Sequence, residues 1–188
     1  MNREILFKAK RKNWRELPKE KWWVEGYYMP RPNSPGKPRY YIVPLSQAKW
    51  YEIDPETLCQ YTGLHDGTRW EQLTDEEQKA FLSEWNYKED RKNRKEDWNG
   101  KRIWENDILK GFEYPFFDGK SYNYFALVEW VDKWKYFCLA TVKNPNSSVG
   151  GISEGNTELF EEFDGQSWEV IGNVFDNLDN PELLGGAE

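Results

Sequence analysis

Residues 122–142, YNYFALVEWVDKWKYFCLATV, decide the fold class of this chain. Two runs rich in aromatic and β-branched residues, 122–131 and 134–142, flank the dipeptide Asp132-Lys133. A connection of this length is typical of a β-hairpin. The sequence therefore predicts a long antiparallel hairpin, and shorter β-prone runs on both sides of it predict a mainly β protein.

The remaining segments continue this pattern, with one exception. Strands are predicted at 3–9, 22–28, 40–44 and 50–53 before the hairpin, and at 103–104, 108–112 and 168–175 around it. The exception begins at Thr74, which forms a capping-box pattern with Glu77. Phe81, Leu82 and Trp85 then supply one narrow apolar stripe. We expect a single helix over 75–90 that lies at the periphery of the protein.

Aromatic residues supply most of the apolar surface. The 188 residues include 32 Phe, Trp and Tyr, which outnumber the 29 Leu, Ile and Val. Each aromatic side chain can bury about 150–250 Å², so the chain can form a core. The eleven tryptophans either fill this core, serve as anchors in a protein interface, or stack on bases or sugars. Trp130 and Trp134 flank the hairpin turn and are the tryptophans expected to be exposed.

Charge is unevenly distributed along the chain. Residues 1–50 carry a net charge of +8 and residues 51–188 a net charge of -15. The basic segment either neutralises the acidic remainder within the fold, which is the favoured interpretation, or binds nucleic acid. In the second case the candidate patch is a group of five clustered basic residues: Lys8, Lys10, Arg11, Lys12 and Arg15.

Several classes of protein are disfavoured by composition. No apolar run approaches the ~18 residues of a membrane span, and no signal peptide is visible, so a soluble, cytoplasmic protein is expected. The two cysteines, Cys59 and Cys138, are expected to be free buried thiols. With a single histidine, His65, the chain has too few ligands for a zinc cluster and only one candidate base for a catalytic triad. We therefore expect no enzyme, no cofactor and no metal site.

Four ordered motifs resemble the YopX family of phage and prophage proteins. They are REILFKA at 3–9, ETLCQYTGLHD at 56–66, GKRIWENDIL at 100–109, and EVIGNVFDN at 169–177, followed by PELL at 181–184. The resemblance implies a fold that includes an SH3-like β-barrel, here over about 100–176, and it brings no established activity or cofactor. Within the motifs we expect Asn106 in a left-handed turn, Asp107 as a turn-forming side chain and Gly172 at a bulge or a barrel bend.

The resemblance and the residue patterns together predict one YopX-like domain. It consists of a β-rich N-terminal part at 1–66, a helical insertion at 67–97 and the SH3-like barrel part at 98–184. The expected function is a non-enzymatic binding or assembly module in the cytoplasm of a bacterial host. A protein partner or self-association is favoured, no membrane is involved, and the alternative is a nucleic-acid-binding protein that uses the basic N-terminal segment and exposed aromatics.

Overall fold

The computed structural model describes residues 5–32, 36–45, 48–86, 89–111, 114–115, 121–122, 125–133, 136–143, 157–159 and 167–176. The protein is mainly β, as predicted. Its strands are β1 Phe7–Lys10, β2 Trp23–Arg31, β3 Arg39–Val43, β4 Tyr51–Glu52, β5 Cys59–His65, β6 Trp85–Asn86, β7 Arg91–Lys92, β8 Arg102–Trp104, β9 Asp107–Gly111, β10 Tyr114–Pro115, β11 Ser121–Tyr122, β12 Phe125–Val131, β13 Tyr136–Lys143, β14 Thr157–Leu159 and β15 Trp168–Asn173. The described residues contain one α-helix, α1 Asp75–Ser83, which is neither long nor apolar enough to span a bilayer.

The N-terminal sheet has six antiparallel strands in the order β4-β3-β2-β1-β5-β8. The side of this sheet that carries Ala9, Val24 and Ile42 packs into a core together with Ile53. β8 belongs to this sheet although it lies within the predicted barrel part. The boundaries at 66 and 97 stay a prediction.

The C-terminal sheet has five strands in the order β14-β13-β12-β9-β15. Its centre is the predicted hairpin of β12 and β13, but the last pair is Val131 with Tyr136, so the predicted two-residue turn Asp132-Lys133 is wrong. Leu109, Val128 and Leu139 form its buried core with Ile103 of the other sheet. Neither sheet closes on itself among the described strands, so the SH3-like barrel is not confirmed.

A tight turn between β8 and β9 joins the two sheets. Asn106 occupies this turn with a φ of 65°, which confirms the predicted left-handed conformation. The pairing of β15 with β9 shifts register between Val170 and Gly172, which confirms the predicted bulge. The chain therefore changes sheet without a long connection, and residues of both sheets come into contact around this turn.

The helix begins as predicted but ends sooner. Thr74 and Glu77 form the capping box, whereas Glu84 is already extended, with ψ at 150°. The Asn93 side-chain amide donates to the carbonyl of Phe81 at 3.1 Å, and its backbone N–H donates to that of Glu84 at 3.0 Å. These bonds use carbonyl oxygens that would accept the next hydrogen bonds of a continuing helix. The predicted second half of the helix is therefore wrong, and β6 pairs with β7 there instead.

The turn after β7 gives a testable pH dependence. Arg91 donates two hydrogen bonds to Asp97, at 2.6 and 2.9 Å, and the Arg94 backbone N–H adds a third. These bonds lower the pKa of Asp97 to about 2. A depressed pKa stabilises this turn above the unfolded value of about 4, and the stabilisation is lost as pH falls through about 2. We expect the Arg94 amide resonance to titrate with a midpoint near 2 in an NMR pH series.

The control for this measurement removes the charged donor. Arg91→Gln eliminates the two guanidinium bonds while Asp97 and the Arg94 amide remain. The Arg94 midpoint is then expected to move up toward about 4. A wild-type midpoint already near 4 would contradict the prediction.

Candidate functional site

The ammonium group of Lys8 links the two sheets and is largely shielded from solvent. Its Nζ lies 2.8 Å from Oδ1 of Asp107, and 12% of the side chain is exposed. The rings of Trp23 and Trp104 lie 5.1 and 5.4 Å from the same atom. Lys8 is therefore stabilised by one carboxylate of the C-terminal sheet and by two aromatic faces.

The side chain of Lys10 is completely buried. Its Nζ donates to the backbone oxygen of Phe175 at 2.7 Å and lies 2.9 Å from Oδ1 of Asp176. The rings of Trp14 and Trp22 lie 4.0 and 4.5 Å from it. A buried charge is tolerated only when it is paired and hydrogen-bonded, and these contacts fasten the residues after β15 to the N-terminal sheet.

The five predicted basic residues do not form one exposed patch. Strand alternation places Lys8 and Lys10 on one side of β1, as expected, but the ammonium groups of both form ion pairs within the protein. Arg11 is half-buried, while Lys12 and Arg15 are exposed. These contacts support the interpretation that the basic segment neutralises acidic groups of the fold. A variant with all five replaced would lose buried contacts, so it cannot serve as a test of nucleic-acid binding.

A buried carboxylate at the start of β9 joins three strands. We call it the Asp107 cluster: Oδ2 of Asp107 accepts from the Trp104 backbone N–H at 2.8 Å, and Oδ1 accepts from Lys8 and from Nδ2 of Asn173 at 2.9 Å. The bond to Trp104 closes the turn, as predicted. Burial raises the pKa of Asp107, and these three donors oppose that shift. The cluster connects β9 to β1, β8 and β15.

A second buried carboxylate holds the end of β5. In this Asp66 cluster, Oδ1 accepts from the backbone N–H groups of Thr68 and Lys101 at 3.0 and 2.7 Å. Oδ2 accepts from the Thr68 hydroxyl at 2.7 Å and the Val170 backbone N–H at 2.9 Å. Gly100 approaches so closely that a Cβ there would lie 2.0 Å from the Asp66 carbonyl oxygen. The four hydrogen bonds that this carboxylate accepts therefore all connect parts of the fold.

Residues of the four sequence motifs form both clusters, and the third and fourth motifs lie in the second half of the chain. The family model described as YopX protein matches residues 95–185. This stretch, which we call the YopX segment, is similar to the YopX family. No curated protein matches the chain. Lys8 and Asp66 precede the YopX segment, and their bonds to Asp107, Lys101 and Val170 attach it to the rest of the protein.

Cys59 and His65 do not form a nucleophilic pair. Cys59 is buried, and the amides of Asn106 and Asn173 contact its sulfur at 3.8 and 3.9 Å. Burial raises the pKa of this thiol to about 11. His65 lies six residues further along the same strand, about 20 Å away at the rise of an extended chain, and its ring contacts the Tyr61 hydroxyl. Among the described residues no cluster could hold a metal ion.

Thiol reactivity tests this geometry directly. At about pH 8 we expect iodoacetamide to leave Cys59 and Cys138 of the native protein unmodified, because both are buried and burial raises both pKa values. Both should react fully in guanidinium chloride, as followed by intact mass. Ser83→Cys, an exposed position, provides a positive control for the reagent. Native labelling of Cys59 at the rate of that control would contradict the burial.

One face of the N-terminal sheet is exposed near β2 and β3. We call it the open face, and its residues pair across the two strands: Tyr27 with Val43, Met29 with Tyr41, and Arg31 with Arg39. Tyr27 is 49% exposed and Met29 38%. Trp50, which precedes β4, is 43% exposed and lies edge-on to Tyr41 at 5.8 Å. Exposed aromatic side chains are therefore adjacent to one another on this face.

The predicted exposed aromatics of the hairpin lie elsewhere. Trp130 is 37% exposed, packs edge-on against Phe137 at 5.1 Å and donates to Asp132 at 3.2 Å. Trp134 lies outside the described residues. The open face was not predicted, although Tyr27, Met29 and Arg31 alternate along the sequence as residues on one side of a strand do.

Proposed function

We propose that this protein is a non-enzymatic binding module of a phage or prophage, acting in the cytoplasm of the bacterial host. The observation that carries the proposal is the open face, where Tyr27, Met29 and Trp50 are all exposed around one strand pair. Large aromatic and methionine side chains are typical anchors of interaction surfaces. The SH3-like barrel implied by the family stays part of this proposal for the C-terminal sheet.

The contrast between buried ionisable groups and exposed aromatic side chains supports the proposal. The buried ionisable groups of the YopX segment and its N-terminal partners are engaged in hydrogen bonds that hold strands together, as at Asp66 and Asp107. A catalytic acid or base instead needs access to a substrate. The exposed aromatics, by contrast, are accessible. A partner protein, a second copy of the chain or a nucleic acid could occupy them.

Site-specific photo-crosslinking in cells tests the binding function without assuming the partner. A photoreactive phenylalanine derivative replaces Tyr27 or Met29 on the open face, and Lys79 on the exposed side of α1 as a control. We expect several-fold more adduct from the two open-face positions than from Lys79. Digestion with protease or nuclease then identifies the partner class, and a product of twice the chain mass identifies self-association. Equal yields at all three positions would refute the proposal.

A further inference from the structure

Two arginines lie opposite each other on the strand pair of the open face. Arg31 and Arg39 lie directly opposite each other on β2 and β3, so their side chains project from the same side of the sheet. Like charges in such cross-strand positions destabilise a sheet. Arg39 donates a hydrogen bond to Tyr41 and is attracted by Glu52 of the neighbouring strand, and both contacts raise its pKa. The same Glu52 carboxylate forms an ion pair with Lys12 at 2.5 Å. One carboxylate thus serves both Arg39 and Lys12, so this group keeps a net positive charge that an external anion can neutralise.

The surroundings of this pair are basic. Two shallow grooves meet at β4, and they share Lys12 and Glu52. Together they are lined by five basic side chains and three acidic ones: Arg11, Lys12, Lys37, Arg39 and Lys49 against Glu16, Glu52 and Asp54. The edge of the sheet thus carries local positive charge although the whole chain has a net charge of -7.

An aromatic platform lies beside the arginines. The Arg31 guanidinium lies over the Trp50 ring at 5.0 Å, and Tyr41 meets that ring edge-on. Tyr27 lies two pairs along the same face from Arg31. Cationic groups next to exposed aromatic rings provide the two contacts that single strands need, phosphate neutralisation and base stacking.

We propose that the open face binds single-stranded nucleic acid, with phosphates at Arg31 and Arg39 and bases stacked on Trp50 and Tyr27. This inference rests on the proposed function and names its partner. A duplex fits less well because its bases are already stacked and cannot reach the rings. A second copy of the chain would present the same basic residues, which complement this face less well than a phosphate backbone does.

Fluorescence anisotropy of labelled oligonucleotides of about fifteen nucleotides tests the inference, with single-stranded DNA, single-stranded RNA and duplex DNA as separate probes. Affinity is measured between about 50 and 200 mM salt. Trp50→Ala is expected to weaken single-strand binding about ten-fold, since each stacked base contributes substantially. Arg31→Ser with Arg39→Ser should reduce the slope of log affinity against log salt by about 1.4, because two phosphate contacts are lost.

The matched control removes the same charge elsewhere. Lys19→Ser with Lys21→Ser eliminates two exposed positive charges of the same basic segment, and we expect an unchanged salt slope. Thermal melting equal to wild type establishes that each variant is folded, since all these positions are exposed. Polyglutamate serves as a competitor that has negative charge without bases, and it should compete poorly.

Each other outcome overturns the inference in a recognisable way. No single-strand binding at about 50 mM salt, equal effects of the face and control variants, or equally effective competition by polyglutamate would each refute it. Protein-only adducts at Tyr27 in the crosslinking experiment would refute the nucleic-acid partner while leaving the binding module intact. Preference for DNA or RNA identifies the natural source of the single strand.

Discussion

We expect Asp107→Ala to lower the free energy of unfolding by about 3–5 kcal/mol. The substitution leaves the Lys8 ammonium and the Trp104 backbone N–H inside the protein without their acceptor, and it removes the bond from Asn173. An unpaired buried charge is among the costliest defects in a folded protein. Chemical denaturation followed by tryptophan fluorescence measures the change.

A double variant separates the charge from the hydrogen bonds. Asp107→Asn retains an oxygen that can accept from the Trp104 N–H, and Lys8→Met removes the ammonium that would otherwise be unpaired. This combination should destabilise the protein clearly less than Asp107→Ala. A loss below about 1 kcal/mol for Asp107→Ala would show that the carboxylate does not hold the strands together.

Gly100→Ala is expected to destabilise the protein by more than about 4 kcal/mol, or to prevent folding altogether. Gly100 has a φ of +100°, and its new Cβ would lie 2.0 Å from the Asp66 carbonyl oxygen, a backbone atom that cannot move aside alone. Relief of this overlap would separate Asp66 from the Lys101 N–H. Thermal unfolding and the yield of folded protein report the effect.

A second glycine provides the control for backbone strain alone. Gly36 has a φ of +92°, close to that of Gly100, but no atom lies within 4 Å of the Cβ position. Gly36→Ala should therefore cost only the strain of a left-handed alanine, about 1–2 kcal/mol. Equal losses for the two variants would show that the close approach to Asp66 has no energetic consequence.

The sequence predicted local elements well because their signals are local. The hairpin of β12 and β13, the left-handed Asn106 and the bulge at Gly172 all follow from residue type and near neighbours. The end of the helix was missed because it depends on Asn93, ten residues beyond Ser83, whose side chain bonds back to the helix. A contact across a turn produces no periodic pattern in the amino-acid sequence.

The roles of the charged residues were the least predictable part. Alternation along β1 correctly grouped Lys8 and Lys10, but their partners Asp107 and Asp176 are distant in sequence, and single-sequence reasoning cannot pair them. The open face was not predicted for a related reason. Arg31 and Arg39 become neighbours only through the pairing of β2 with β3, on either side of a connection that contains three prolines.

The attachment of Lys10 to the residues after β15 has a consequence for how the protein is made. Phe175, which accepts the Lys10 hydrogen bond, follows it by 165 residues. At 5–20 residues per second the ribosome needs roughly ten to thirty seconds to span that interval. During this time the first strand has been synthesised but the Lys10 ammonium lacks its final acceptors. Folding of the N-terminal sheet therefore reaches completion late in translation, and a chain interrupted before Phe175 presents its tryptophans to chaperones and proteases.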